Sequence, residues 1–132
     1  MKQLNFISSL HKSTKRNYIE RMINEKVKCV KIAKKYDFHY WDGNRKYGYG
    51  GYKFIDGRWS SVAKKIIKFY KLNNKSKILD VGCGKGYLLY EIKKILPKIK
   101  IKGFDISAYA IKNSKKEIKK YLFRHDVKRK FP

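Results

Sequence analysis

At 132 residues the chain is long enough for one domain and too short for two. A hydrophobic share of 42% excludes global disorder, and two widely separated cysteines, Cys29 and Cys83, exclude a disulfide framework or zinc spacing and point to a reducing, cytoplasmic compartment. The net charge of +25 reflects either a polyanionic partner or A/T-rich codon usage; of the 35 basic residues 29 are Lys and six Arg, and the scarcity of Arg, the better phosphate fork, favours codon usage.

Residues 1–17 are polar and basic without a period and read as a loose arm. No signal-peptide core occupies the first 25 residues, and no apolar run reaches membrane-spanning length. From Tyr18 a helical period begins, with Ile19, Met22, Ile23, Val27, Val30 and Ala33 on one face and lysines between them. Residues 37–58 hold five glycines and a cluster of aromatics with no period, the pattern of a structured loop. Trp59, Val62, Ala63, Ile66, Ile67 and Tyr70 form the apolar stripe of a second helix, ended by Asn73 and Asn74.

A short buried strand is predicted over 77–81, running into a glycine-rich turn. Leu88, Leu89, Ile92, Ile95 and Leu96 mark a third helix stopped by Pro97. Residues 99–104 alternate as a strand and end at Asp105, and Ser107 caps a fourth helix with Ile111, Ile118 and Leu122 inward. A last strand is expected near 121–125, leading to Asp126. Strands alternating with helices imply parallel pairing through right-handed crossovers.

The chemistry sits in the turn, where Gly82, Gly84 and Gly86 alternate around Cys83 and follow Asp80. Glycine admits positive φ and lets backbone N–H groups approach a ligand, and the helix that starts there favours polar or anionic groups. Asp105 follows Gly86 by 19 residues, at the end of the second strand, where an acid accepts ribose hydroxyls. Dinucleotide folds use G-x-G-x-x-G; here the run is G-x-G-x-G with an acid two residues ahead, which suits an ammonium and repels a pyrophosphate. That spacing argues against an NAD-dependent enzyme.

The run LDVGCGKGY (79–87), followed by GFDIS (103–107), resembles the first two motifs of class I S-adenosylmethionine-dependent methyltransferases, and RHD (124–126) resembles the third. YGYGGY (47–52) and DGRW (56–59) resemble a bacterial subgroup of small methyltransferases. The resemblance implies a Rossmann-like doubly wound parallel α/β sheet with N-terminal helices, in the strand order 3-2-1-4-5-7-6, of which only the first three strands are represented. The chain then divides into a basic arm (1–17), a helix with an aromatic and glycine-rich lid (18–58) and a partial S-adenosylmethionine-binding domain (59–132). Little or no turnover is expected from this length alone, whether it reflects an incomplete gene model, a split gene or a fragment.

The resemblance further implies that Gly82, Cys83, Gly84 and Gly86 surround the methionine part of the cofactor, that Asp80 holds its ammonium, and that Asp105, Ile106 and Ser107 take the ribose and adenine. Asp126 and Val127 would close over the adenine edge, with turn capping as the plainer role for Asp126. The lid would bring Arg58 to the methionine carboxylate and Tyr47, Tyr49 and Tyr52 to the acceptor pocket; packing of this loop on the second helix is the plainer alternative. His39 belongs to the same segment, while His11 and His125 read as solvated or capping residues. No catalytic base is assignable, and methyl transfer needs no metal. The acceptor is expected to be a small molecule or a glycan-related group, with nucleic acid less favoured. The competing function is a non-catalytic basic nucleic-acid-binding module on a half Rossmann fold.

Overall fold

The computed structural model describes residues 4–12, 19 and 25–131. In chain order its helices are α1 (Ser8–Lys12), α2 (Lys26–Ala33), α3 (Phe38–Trp41), α4 (Ser60–Phe69), α5 (Tyr87–Ile95), α6 (Ala108–Lys112) and α7 (Lys116–Lys119). Three strands, β1 (Lys77–Val81), β2 (Lys100–Asp105) and β3 (Leu122–Arg124), form one parallel sheet in the order β1-β2-β3. Helix α5 makes the first crossover, and α6 with α7 makes the second. This is an incomplete Rossmann-like α/β sheet.

Register decides which side chains share a face. Ile78 lies opposite Ile101, and Gly103 opposite Leu122. Ile78, Ile101 and Leu122 meet Ala63 of α4, Leu89 and Ile92 of α5 and Ile118 of α7, which together form the core. Val62 and Ala63 are fully buried because the apolar stripe of α4 faces this layer. The opposite face carries Leu79, Val81, Lys102, Phe104 and Phe123. Phe104 is covered by the rings of Phe123, His125 and Phe131 at 5.6, 5.2 and 5.5 Å. Leu79 and Val81 remain 47% and 56% exposed, so β1 is half open where the sequence suggested a buried strand. No described strand pairs with the outer edge of β1.

Other expectations are corrected. The helix after Ser107 breaks into α6 and α7. Asn113 Nδ2 donates back to Tyr109 O at 2.8 Å and Ser114 Oγ to Ile111 O at 2.8 Å, a side-chain competition that ends the first segment and leaves Leu122 to β3. Helix α4 begins one residue after Trp59, and Tyr70 is 58% exposed beyond its end, where Lys71 turns at φ 50°. The inward stripe of the first predicted helix does not form in its described part: α2 buries no residue, and Val27 and Val30 are 71% and 42% exposed. Ile19 is exposed too, while Tyr18, Met22 and Ile23 lie outside the described residues. Part of the arm is tied down. Phe6 packs edge-on to Phe69 at 5.6 Å, and Asn5 Oδ1 caps α1 through Ser8 N at 2.9 Å. Residues 1–3 and 13–17 lie outside the described residues.

Candidate cofactor site

The glycine loop leaves β1 with Gly82, Gly84 and Gly86 at φ +78°, +56° and +73°. Each must be glycine for a different reason. A Cβ on Gly82 would meet nothing within 4 Å, so this residue presents bare backbone to open space. One on Gly84 would lie 2.7 Å from the Trp41 ring, and one on Gly86 would lie 2.6 Å from Ile118 Cδ1. The loop is held from β2: Phe104 O accepts from Gly82 N at 2.8 Å and from Cys83 N at 3.0 Å. Asp105 Oδ2 accepts from Gly84 N, and Oδ1 from Ser107 N, both at 2.8 Å. The Asp105 carboxylate is 8% exposed and keeps further lone pairs for a ligand.

Two cavities open at the carboxyl ends of the strands and meet at Gly82. The larger, about 690 Å³, is lined by Asp80, Cys83 and Gly84 from the loop and by Tyr49, Tyr52 and Arg58 from the aromatic segment. The second, about 530 Å³, is lined by Asp105, Ile106, Asp126 and Val127, with Tyr36 on its far wall. Asp126 also does local work: its Oδ1 accepts from Lys128 N at 3.0 Å, capping the turn after β3.

The segment from Tyr36 to Gly57 is bonded onto the domain at several points. Trp41 is buried, donates from Nε1 to Ser107 Oγ at 2.9 Å and stacks on Tyr49 at 5.2 Å. Ser107 Oγ in turn donates to Tyr36 O. Lys85 is 4% exposed, and its ammonium donates to both Asp42 oxygens, at 2.9 and 2.8 Å, and to Tyr52 O at 2.8 Å. Tyr109 OH adds a bond to Asp42 Oδ2 at 2.7 Å. Buried Glu91 of α5 accepts from Gly57 N at 3.1 Å, which fixes the position of the neighbouring Arg58.

Electrostatics at the loop favour a cation. Burial, and then the nearby Asp105, push the Asp80 carboxyl above its usual range. No cation or hydrogen-bond donor among the described residues pairs with it. Burial followed by Asp80 and Asp105 raises the Cys83 thiol to about 12, so it is an unreactive small side chain. Burial first, then Tyr49, raises Tyr52, which therefore stays a phenol. Trp59 Nε1 is buried on the wall of the larger cavity without a well-formed hydrogen bond.

Four expected site residues stand elsewhere. Gly86 lines neither cavity; its missing Cβ makes room for Ile118 and Leu122 in the core. Ser107 is 2% exposed, and its hydroxyl is committed to Trp41, Tyr36 and the Ala110 amide. Tyr47 lines a neighbouring cavity with Tyr40 and Lys46, and His39 lines neither of the two described here. Sequence reading missed Trp41, Asp42 and Lys85, although Trp41 lay in the aromatic cluster and Lys85 between two glycines of the loop.

Residues 72–128, which hold all three strands and both crossovers, match the model of a methyltransferase domain. This segment is the N-terminal part of a class I methyltransferase domain. The chain is also similar to the tRNA U34 carboxymethyltransferase of Nautilia profundicola, with 47% identity over 57 residues. That match covers 42% of this chain and 18% of the relative, so the chain represents a minor part of the relative's length. Upstream of the methyltransferase segment lie the aromatic strap and Arg58, outside the matched residues. No described helix is long and apolar enough to cross a membrane.

Proposed function

We propose that the two cavities meeting at Gly82 hold S-adenosylmethionine and that the chain carries the donor half of an alkyl-transfer enzyme acting on RNA. The observation that carries the cofactor reading is the half-buried Asp80, which no described cation or donor pairs with, in the same cavity as Arg58 and Trp59 Nε1–H, which lacks a well-formed bond. An acid and two donors facing one space suit the ammonium and carboxylate of an amino-acid end. The adjoining cavity suits a nucleoside: Asp105 for ribose hydroxyls, exposed Ile106 for an apolar ring face, Asp126 and Val127 at its edge. When bound, the cofactor supplies a methyl group on a positively charged sulfur. The chain's own residues position it and exclude water, chiefly through Trp41, Tyr49 and Tyr52. The RNA acceptor takes its support from the relative's name and is preferred on that ground to the small-molecule or glycan expectation.

Calorimetry with S-adenosylhomocysteine tests the cofactor reading. Binding by the unaltered chain, no comparable binding of NADH, and loss of most affinity in Asp105→Ala are expected. NADH bound as well as S-adenosylhomocysteine, or an Asp105→Ala variant with unchanged affinity, would sink it.

A further inference from the structure

A third cavity, about 460 Å³, adjoins the larger of the two and shares His11, Arg45 and Tyr49 with it. Lys26, Lys46, Tyr40 and Tyr47 line the third cavity and not the other. No carboxylate is among its described lining residues, in a region where Asp37 and Asp42 are close in sequence. Tyr49 is stacked on Trp41, at 5.2 Å and 14° between planes, and is braced by the rings of Tyr52 at 4.6 Å and Tyr40 at 5.5 Å, yet is 44% exposed. It is therefore a ring held rigid from behind with surface left open, which is what a base-stacking platform requires.

The placement of arginine adds an independent argument. The described lysines occur in every helix but α3 and in β1 and β2, as codon usage alone would leave them. The four described arginines all lie on cavities at the strand ends: Arg45 and Arg58 on the larger one, Arg124 and Arg129 on a further one of about 400 Å³ that shares Ile106, His125 and Asp126 with the nucleoside side. Arginine forks match phosphate oxygens in a way lysine does not.

We propose that the third cavity is the acceptor's nucleotide site: a base of single-stranded RNA stacks on Tyr49, and the phosphates beside it pair with Arg45, Lys46 and Lys26. The inference rests on the alkyl-transfer reading, because Arg45 and Tyr49 border the donor cavity and would bring the acceptor base beside it.

Anisotropy titrations of a fluorescein-labelled single-stranded RNA of about a dozen nucleotides, repeated across a salt series, test it. Lys26→Ala/Lys46→Ala is expected to weaken binding roughly tenfold near physiological salt and to lower the salt slope by about one to two. The charge-matched double variant Lys98→Ala/Lys100→Ala, at the amino end of β2, should lose much less. Tyr49→Ala should weaken binding roughly tenfold with the slope unchanged, and Tyr49→Phe should restore it. S-adenosylhomocysteine affinity should be untouched in the Lys26/Lys46 variant, whose side chains border neither of the two cavities that meet at Gly82. Equal losses in the two lysine doubles, or indifference to Tyr49→Ala, would overturn the proposal in favour of diffuse charge attraction. Failure of the unaltered chain to bind S-adenosylhomocysteine sinks the cofactor reading instead, and the RNA titrations still decide this one.

Discussion

Replacing Asp42 by alanine strips the Lys85 ammonium of its carboxylate while leaving the cation 4% exposed between two glycines. An uncompensated buried charge costs about 3–5 kcal/mol. At roughly 4 °C per kcal/mol for a chain of this size, thermal unfolding should fall by on the order of 12–20 °C. The reverse substitution, Lys85→Met, is gentler. Asp42 keeps the Tyr109 hydroxyl and the Tyr52 amide, and its side chain is 21% exposed, so water reaches it. The loss there should be about 1–2 kcal/mol. Circular dichroism melts of both variants measure the asymmetry, and intrinsic fluorescence of Trp41 and Trp59 reports whether the strap has lifted. A Lys85→Met variant that melts below Asp42→Ala would refute the reasoning. The pH dependence gives a second readout. Burial alone would raise the Asp42 carboxyl, but bonds from Lys85, Tyr109 and the Tyr52 amide outweigh it and hold it below its ordinary value. A depressed folded value means that the pair stabilises the fold above the unfolded carboxyl's pKa of about 3.9, and that this contribution disappears as pH falls through the lower folded value. Asp42→Asn should flatten the acid limb of the stability curve below about pH 4.

Asp80 carries the opposite sign: its raised carboxyl opposes folding at neutral pH and favours it as pH falls, so Asp80→Asn should raise the melting temperature of the free chain while calorimetry shows weakened S-adenosylhomocysteine binding. A destabilised Asp80→Asn would contradict the idea that the carboxylate awaits a ligand. Gly86→Ala forces a Cβ to 2.6 Å from Ile118 Cδ1 at φ +73°, and denaturant titration should show a loss of about 2–4 kcal/mol; a loss under 1 kcal/mol would remove the packing argument. Cys83, with its thiol raised to about 12, should resist iodoacetamide at pH 8 in the folded chain and react on unfolding, as read by mass spectrometry.

Much of the fold was legible because local and global signals agreed. Lys77–Val81 is legible with its bounds, since Ile78, Leu79 and Val81 lead straight into the glycine turn. The inward stripe of α4 was legible through Val62 and Ala63. Failures came where a side chain overrode the period, as Asn113 and Ser114 did in breaking the helix after Ser107. The site was half legible. Gly82 and Asp105 follow from motif spacing, whereas Lys85 and Asp42, 43 residues apart, are joined only by tertiary packing. Ser107 misled for the same reason: its motif position says nothing about Trp41 occupying its hydroxyl from 66 residues away.

The open outer edge of β1 bears on how the protein behaves as a solute. Alternate residues of this five-residue strand offer unpaired backbone groups beside exposed Leu79 and Val81, a surface on which a second copy could add a strand. The +25 charge is the opposing force, since it repels an approaching copy, with Lys77 on that edge itself. That repulsion acts over about 10 Å at 0.1 M salt and collapses to about 3 Å at 1 M. Ionic strength is thus the control on colloidal state. Dilute buffers keep copies apart, and salting, the usual remedy for a sticky basic protein, should turn this one towards edge-to-edge association.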